Sequence, residues 1–338
     1  MGQTGDNTMM KTLFIFVIAV LILWTVTGTV KAADGDGGYA GAYFQIPIGA
    51  RPTAIGGAYL AISDDGAAPL FNPAGLATIR HKIFATSYRA MNLDRSLGYI
   101  TFMVPTHDNS ALGVNWHYFN TGDVAMRNRD GRLTGDVIGY TSHAWSVVFS
   151  KRFEKYLSVG MKAGYLYSRF AEMVSSSVGI DLGMMLYIDK FFDRERQEDM
   201  TVKDIQVGLV VRNLAATYRW NSTNYNVTIS GDEGGVEQVD KVPIEIGLGT
   251  SARFFERRLL LAADVIVNEK QNPRLHAGAE FFVVPEFALR CGFSDKRLTA
   301  GTGYVFKIGR QVLAIDYAFA TDKVDEGSEH IFSFDMLF

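Results

Sequence analysis

Apolar and polar residues alternate along most of the chain from about residue 82 onward. In one such segment, 155–170, Val159 and Met161 alternate with Gly160 and Lys162. Successive side chains of a β-strand point to opposite faces, so this pattern predicts strands with one apolar face and one polar or glycine-rich face. The sequence therefore predicts an all-β fold with about fourteen strands, near residues 82–91, 95–104, 110–119, 139–152, 155–170, 174–188, 203–213, 241–255, 258–268, 274–284, 287–295, 298–307, 311–321 and 328–338.

The connections between these strands differ in length in a regular way. The two longest polar connections, 120–138 and 214–240, follow odd-numbered strands, and most connections after even-numbered strands are short. The charged stretch 189–202 is the exception. Bacterial membrane barrels have long loops on one side and short turns on the other. Because only helices and closed barrels satisfy every backbone polar group in hydrocarbon, we expect a closed antiparallel transmembrane barrel rather than a soluble sandwich.

The last strand has one distinctly apolar face. Phe334, Met336 and Phe338 fall on this face, and Ser333 and Asp335 fall on the other. An apolar strand of this kind would promote aggregation in water, whereas lipid would cover it. It resembles the closing strand of bacterial outer-membrane barrels, which typically ends in an aromatic residue. This resemblance implies that Phe334, Met336 and Phe338 form a signal for the barrel-assembly machinery.

The N-terminal region has the pattern of an export signal. Lys11 precedes an uninterrupted apolar run from Leu13 to Trp24, and the small-x-small sequence 30–32 follows. This pattern predicts a cleaved signal peptide. The alternative is an uncleaved anchor, because the segment extended to Val30 is long enough to cross a bilayer. We expect three regions: a signal peptide at 1–32, a linker and hatch at 33–81, and the barrel at 82–338.

The segment from Ala42 to Ile79 lacks alternation and is rich in small and turn-forming residues. Gly56 and Gly57 form one candidate turn, and Asn72, Pro73 and Ala74 form another. Eight strands make a barrel whose interior side chains just fill it, so fourteen strands leave room for a plug. We therefore expect this segment to form a hatch inside the lumen.

Charged residues recur on the polar faces of the later strands. They are Arg212, Glu245, Asp264, Glu280, Arg290 and Asp316. Both signs are present, which favours a network of salt bridges along a wet lumen. A polar conduit or a site for a charged head group is the alternative, and the spacing does not select between them. The formal net charge of -3 argues against a nucleic-acid partner.

The sequence contains no recognisable catalytic or cofactor motif. It lacks a Gly-x-Ser-x-Gly elbow and a phosphate-binding loop. His117 and His143 lie on neighbouring predicted strands and could meet, but a polar lumen or interface role is the simpler interpretation. The pair Asp64 and Asp65 supplies too few oxygens for calcium. We expect no enzyme activity, cofactor or metal, although a catalytic group assembled from distant strands stays open.

Four short motifs in the hatch segment resemble a known family. They are Gly49–Arg51, Ile55–Tyr59, Asp64–Asp65 and Asn72–Leu76. Together they resemble the N-terminal signature of the PorV/PorQ family, which is related to the outer-membrane long-chain fatty-acid transporters. Phe71 is a mild departure, since family members often have Trp or Tyr there. The resemblance implies a fourteen-stranded barrel whose hatch contains the Asn-Pro-Ala motif.

The resemblance leaves two roles open. One is a conduit for hydrophobic compounds, and the other is a barrel that serves type IX secretion by binding secretion-system proteins. The expected location is the outer membrane of a Gram-negative-type bacterium, with outer-membrane lipid as a further partner. A structural or adhesive surface barrel, which binds partners through the loops 120–138 and 214–240, is the alternative, and a barrel-scaffold enzyme is less favoured.

Overall fold

The computed structural model describes residues 39–107, 109–128, 130–192, 197, 200–222, 236–294, 297–321 and 327–338. The predicted signal peptide lies outside these residues. The strands within them are β1 (Ile83–Ala90), β2 (Ser96–Thr106), β3 (Ser110–Asn120), β4 (Val124–Arg127), β5 (Leu133–Ile138), β6 (Tyr140–Phe153), β7 (Leu157–Phe170), β8 (Met173–Tyr187), β9 (Lys203–Leu214), β10 (Thr217–Asn221), β11 (Glu237–Lys241), β12 (Glu245–Phe254), β13 (Leu259–Asn268), β14 (Gln271–Val284), β15 (Phe287–Ser294), β16 (Arg297–Ile308), β17 (Gln311–Thr321) and β18 (Ser328–Leu337).

Fourteen of these strands form one closed barrel. Around the wall the order is β1, β18, β17, β16, β15, β14, β13, β12, β9, β8, β7, β6, β3 and β2. The first and last strands close the ring by antiparallel pairing from Ile83↔Leu337 to Ala90↔His330. Closure removes the sheet edges and gives the backbone groups partners within the wall. The predicted all-β barrel of about fourteen strands is therefore confirmed.

The two ends of the barrel differ as the connection lengths predicted. We call the end that carries Lys82 and Phe338 the C-terminal rim, and the opposite end the loop rim. Short turns at 154–156, 285–286 and 309–310 lie on the C-terminal rim. The loop rim carries two separate hairpins, β4–β5 and β10–β11, which the long predicted loops contain. The long connection between β8 and β9 also lies on the C-terminal rim and includes the 3-10 helix Ile188–Phe191.

The apolar faces of the wall strands point outward. Exposed side chains on this outer face include Val114, Val147, Met161, Val178, Ile246, Leu289, Ile315 and Phe332. A continuous apolar exterior of this kind is unfavourable in water and marks a surface that another apolar phase covers. Cys291 is exposed on the same face, as its place in the alternation predicted. Among the described residues, no helix is both long and apolar enough to cross a membrane.

The hatch segment packs inside the barrel. Its short elements are the 3-10 helix Ala42–Gln45, the α-helices Ala50–Ala54 and Ala68–Phe71, and the 3-10 helix Pro73–Thr78. Hatch residues Tyr59 and Leu60 are fully buried and pack with the wall residues Val210, Leu260 and Ile266. A second apolar cluster joins Leu76 of the hatch to the wall near the C-terminal rim. The main hydrophobic core therefore lies between the hatch and the inner wall.

Candidate functional site

The inner wall carries glycines where the hatch backbone touches it. A Cβ on Gly183 would lie 2.1 Å from Asn72 Oδ1, and a Cβ on Gly208 would lie 2.2 Å from the Leu60 carbonyl oxygen. The hatch backbone comes equally close to Gly160, Gly278 and Gly292. Any larger residue would force the hatch away from the wall. Gly160, Gly183, Gly208, Gly278 and Gly292 are therefore docking positions for the hatch.

The Asn-Pro-Ala motif fixes one end of the hatch. Asn72 is fully buried, and its Oδ1 accepts a hydrogen bond from the Ala74 N–H at 3.1 Å. Its Nδ2 donates to the Leu60 carbonyl at 2.9 Å and to the Met184 carbonyl of β8 at 3.1 Å. Ser150 of β6 donates to the Ala74 carbonyl at 3.0 Å. The motif, which continues through Pro73 into a 3-10 helix, thus ties the hatch to two wall strands.

The glycine pair of the hatch lies against the opposite side of the wall. Gly56 and Gly57 have φ angles of 70° and 79°, in the left-handed region that glycine adopts at low cost. A Cβ on Gly56 would lie 2.5 Å from the Phe293 carbonyl oxygen of β15. His276 Nδ1 lies 2.8 Å from the Gly56 carbonyl oxygen. Both predicted hatch motifs are therefore contact points between the hatch and the wall.

Arg51 carries the hatch side of a buried ion network. Its Nε lies 2.8 Å from Glu280 Oε2 of β14, and its Nη1 lies 2.6 Å from Asp64 and 3.2 Å from Asp65. Burial raises the pKa of Asp65, an effect that Asp64 reinforces and that Arg51 partly offsets. The predicted acidic pair is therefore part of the hatch attachment.

The wall side of the network contains the predicted lumen residues. Arg290 Nε lies 2.7 Å from Glu280, and Arg290 Nη1 lies 2.5 Å from Asp316. Asp264 Oδ2 accepts hydrogen bonds from two backbone N–H groups of the hatch, Tyr59 at 2.7 Å and Leu60 at 2.8 Å. These side chains line the lumen and hold the hatch by charge-assisted hydrogen bonds.

Arg212 and Glu245 form a second group of polar contacts nearer the loop rim. Arg212 Nη1 lies 3.6 Å from Glu245 Oε2, and Arg212 Nη2 donates to the Phe71 carbonyl of the hatch at 2.5 Å. Arg274 also pairs with Glu245. The structure therefore brings the six predicted lumen residues to the inner wall, in two separate groups, with Asp264 bonded to the hatch backbone.

The hatch also contacts the strand that closes the barrel. The Ala50 N–H donates to Ser333 Oγ at 2.7 Å, and the Gly66 N–H donates to Asp335 Oδ2 at 3.0 Å. Both acceptors lie on the inner face of β18. On the outer side of the wall, the Phe338 and Phe102 rings stack with centroids 6.3 Å apart. The two faces predicted for the last strand are thus the lumen face and the outer face.

An inner cavity of about 90 Å³ lies between the hatch and the wall. The hatch contributes apolar side chains such as Phe44, Ile46 and Leu70, whereas the wall contributes polar ones such as Asn115 and His117. Within the described part of the chain, Asn115 Nδ2 and His117 Nε2 are buried and have no hydrogen-bond partner. The cavity is therefore lined by both apolar and polar side chains.

His117 and His143 do not meet, although they lie on the paired strands β3 and β6. His143 pairs in register with Tyr118, and His117 pairs with Ala144, so the two imidazoles project to opposite faces. His117 is buried in the lumen, and His143 stacks on Trp116 and Trp145 of the outer face. The contact that their neighbouring strands left open is therefore not made, and His117 has the polar lumen position that was the simpler interpretation.

A larger cavity of about 660 Å³ opens at the loop rim. One side is aromatic and includes Tyr140 and Trp220, and the other side is polar and includes Arg297. It shares lining residues such as Pro47 and Arg274 with the inner cavity. The two cavities therefore lie next to each other, with the larger one nearer the loop rim.

The wall ladder is interrupted where the inner cavity reaches β8 and β9. These strands pair from Tyr187↔Gln206 to Ile180↔Leu214, with a register shift at the upper end. Beyond Ile180, the residues 173–179 of β8 have no backbone pairing with β9 within the described chain. We call this part of the wall the seam.

Side chains rather than a backbone ladder close the seam. Ser177 Oγ accepts from the Thr217 N–H of β10 at 2.7 Å, and Ser175 Oγ accepts from the Arg219 N–H at 2.8 Å. At the base of the seam, Asp181 Oδ1 accepts from the Asn213 N–H at 2.9 Å. A few hydrogen bonds to side chains, rather than a continuous backbone ladder, therefore hold this part of the wall together.

Sequence reasoning did not select two charged residues that lie near the seam. Lys162 and Asp181 form an ion pair at 2.5 Å and line the inner cavity, but neither was among the predicted lumen residues. Both fall on the polar face in the alternation, which was the available signal.

Within the described residues, no group of three or more His, Cys, Asp or Glu side chains is placed to hold a metal ion.

Comparison with known proteins gives likeness at the level of structure only. No family model matches the sequence, and no curated protein matches it. The toluene transporter TbuX of Ralstonia pickettii is 13% identical over 86% of this chain and 98% of its own, with a TM-score of 0.59. A Pseudomonas aeruginosa FadL homologue is 11% identical over 87% and 98%, with a TM-score of 0.57. The monoaromatic hydrocarbon channel CymD is 12% identical over 86% and 97%, with a TM-score of 0.59. The chain therefore has the barrel fold that these proteins share.

Proposed function

We propose that this protein is an outer-membrane barrel that conducts hydrophobic compounds and releases them sideways through the seam between β8 and β9. The observation that carries the proposal is the interrupted ladder beside an internal cavity. The hatch fills the lumen below that cavity, so a straight aqueous path through the barrel is blocked. The free energy of an apolar molecule is lower in the bilayer than in water, so release into the bilayer is favourable. The seam supplies such an exit.

The neighbours in structure support the same choice of substrate class. TbuX is named a toluene transporter, and CymD is named a monoaromatic hydrocarbon channel. The apolar exterior of the closed barrel supports an outer-membrane location in a Gram-negative-type bacterium, because β-strands span a bilayer only as closed barrels. The lumen residues Arg212, Glu245, Asp264, Glu280, Arg290 and Asp316 then serve to hold the hatch and to line the path.

A disulfide across the seam tests this proposal. The change is Ser177→Cys with Thr217→Cys in a Cys291→Ala background, which removes the native thiol. The Ser177 hydroxyl lies 2.7 Å from the Thr217 backbone nitrogen, so the two positions are close enough to consider for linkage. We expect oxidation to abolish most uptake of labelled toluene by cells that express the protein. Reduction should restore the uptake.

The matched control places the disulfide in an intact part of the wall. Val305 and Ala314 are register partners in the continuous ladder between β16 and β17. Val305→Cys with Ala314→Cys should form a disulfide without changing uptake. Equal uptake by the oxidised and reduced seam variant, with the linkage verified by mass spectrometry, contradicts a lateral exit at β8 and β9. Absence of any uptake above a strain that lacks the protein contradicts the conduit itself.

Membership in the PorV/PorQ branch, with a role in type IX secretion, is the second candidate. The motif Asn72–Leu76 and its neighbours in the hatch are the observation that favours it. The β4–β5 and β10–β11 hairpins would be the surfaces offered to secretion-system proteins. A pull-down with the tagged barrel tests this role. Recovery of secretion-machinery components, lost when either hairpin is deleted, supports it, and recovery of none counts against it.

A further inference from the structure

The C-terminal rim carries an excess of unpaired positive charge. Among the described residues, the basic side chains on this rim that form no ion pair are Arg80, Lys82, Lys151, Arg152, Lys155, Lys203, Arg258, Lys307 and Arg310. The acidic side chains there without an ion pair are fewer: Glu154, Glu256 and Glu286. Asp189 and Asp204 are already paired with basic neighbours of the same rim. The described part of this rim is therefore basic.

The loop rim shows no such excess in its described residues. Its acidic side chains include Asp94, Asp123, Asp130, Asp136, Glu237 and Glu269. Its basic side chains include Arg127, Arg132, Arg169, Arg219, Lys241 and Lys270. The two signs are present in similar measure. Within the residues that the structure describes, the positive excess is thus found at one end of the barrel.

The unpaired basic residues are distributed around the barrel. They lie next to β1, in the turns that join β6 to β7, β12 to β13 and β16 to β17, and at the start of β9. A protein partner would contact a patch on one side. A ring of charge instead matches a flat layer that surrounds the barrel. The distribution therefore favours a lipid surface over an acidic protein.

Exposed apolar side chains lie beside this ring. Phe153, Phe255, Ile308 and Phe338 are exposed on the same rim. The Lys151 ammonium lies 5.9 Å from the centre of the Phe153 ring. Long basic side chains can lay their stems on apolar surface and keep their charge among polar head groups. The rim therefore combines the two contacts that a membrane interface requires.

We propose that the C-terminal rim binds the anionic head groups of phospholipids in the leaflet that it faces. The inference rests on the membrane location proposed above, but not on the conduit or the seam. Attraction between the basic ring and phosphate groups orients the barrel and holds anionic lipid around its base. The interaction is electrostatic, so added salt weakens it.

The test measures lipid binding by the full-length, folded barrel purified in a neutral detergent. Phosphatidylglycerol and phosphatidylcholine are titrated separately, and bound lipid is counted by native mass spectrometry at low and high ionic strength. The rim variant is Lys82→Gln, Lys155→Gln and Arg310→Gln together. The control variant is Arg132→Gln, Lys241→Gln and Lys270→Gln, which removes the same number and types of charge from exposed positions of the loop rim.

We expect the native protein and the control variant to prefer phosphatidylglycerol. Each cation near an anionic surface contributes enough to change affinity by about fivefold, so the rim variant should bind this lipid roughly 100-fold more weakly. Binding of phosphatidylcholine should not change. The proposal is overturned if the rim variant keeps the preference, if the control loses it equally, or if the native protein does not distinguish the two lipids. Transport of toluene by the rim variant is measured in parallel, so loss of lipid preference is separated from loss of the conduit.

Discussion

Replacing Asn72 by Ala tests how the hatch is held in the lumen. The substitution removes three hydrogen bonds: one that Oδ1 accepts from the Ala74 N–H, and two that Nδ2 donates to the Leu60 and Met184 carbonyls. Each contributes about 1 kcal/mol when its partner is buried. Two of these bonds lie within the hatch, and only the bond to Met184 joins it to the wall, so docking itself should lose about 1 kcal/mol. This free energy corresponds to a roughly fivefold rise in the undocked population.

Amide hydrogen exchange followed by mass spectrometry measures this change. Peptides that cover 50–79 should exchange faster in the variant, while peptides from the barrel strands keep their protection. Sensitivity of cells to large antibiotics should rise in parallel, because an undocked hatch leaves the lumen open. Thr78→Ala is the matched control, since it removes a hydrogen bond of 2.8 Å to the Gly75 carbonyl that lies wholly within the hatch. If hatch exchange in the Asn72 variant matches that of the control, the motif does not fix the hatch to the wall.

Three further outcomes are expected. Gly208→Ala should destabilise the docked hatch by about 1–3 kcal/mol in the exchange assay, because its Cβ would meet the hatch backbone at Leu60, which cannot move aside as a side chain can. Gly179→Ala is the control and should have little effect, because its Cβ would lie 3.5 Å from its nearest neighbour. Glu280→Gln should cost about 3–5 kcal/mol in thermal unfolding followed by circular dichroism, because two buried guanidinium groups lose their shared carboxylate, and a drop no larger than that of the exposed Glu286→Gln would refute the argument. Burial raises the pKa of Asp65, so the hatch should lose stability as the pH rises from the unfolded-state pKa of about 3.9 toward the higher pKa of the folded state. Asp65→Asn should reduce this dependence of hatch stability on pH. An unchanged pH profile of hatch exchange in that variant would contradict the argument.

The alternation of apolar and polar residues was sufficient to predict the wall. It predicted the strands within a few residues of their observed bounds. The reason is that an inner polar face and an outer apolar face impose a period of two over many residues. The strand predicted at 155–170, for instance, is observed as Leu157–Phe170. The sorting of loop lengths also gave the two rims, since both ends of a barrel with an even number of strands lie on one side.

The hatch and the seam were harder to predict for physical reasons. Inward glycines such as Gly208 were interpreted as part of a polar face, but they are sites where the hatch backbone approaches the wall. The loss of pairing at residues 173–179, before Ile180, depends on where β9 leaves the wall, and the sequence pattern of neither strand indicates it. The pattern could not decide whether His117 and His143 meet, because residues on adjacent strands do not necessarily project to the same face. Register decides the face, and a shift of one residue reverses it.

The two bonds from the hatch to β18 have a consequence for assembly. Ala50 and Gly66 lie before the first wall strand in the chain, whereas Ser333 and Asp335 belong to the strand that completes the ring. These two bonds form only when the opposite terminus has arrived, and the plug then offers it two amide donors. We therefore expect a chain deprived of the plug to persist longer as an unsealed, curved sheet.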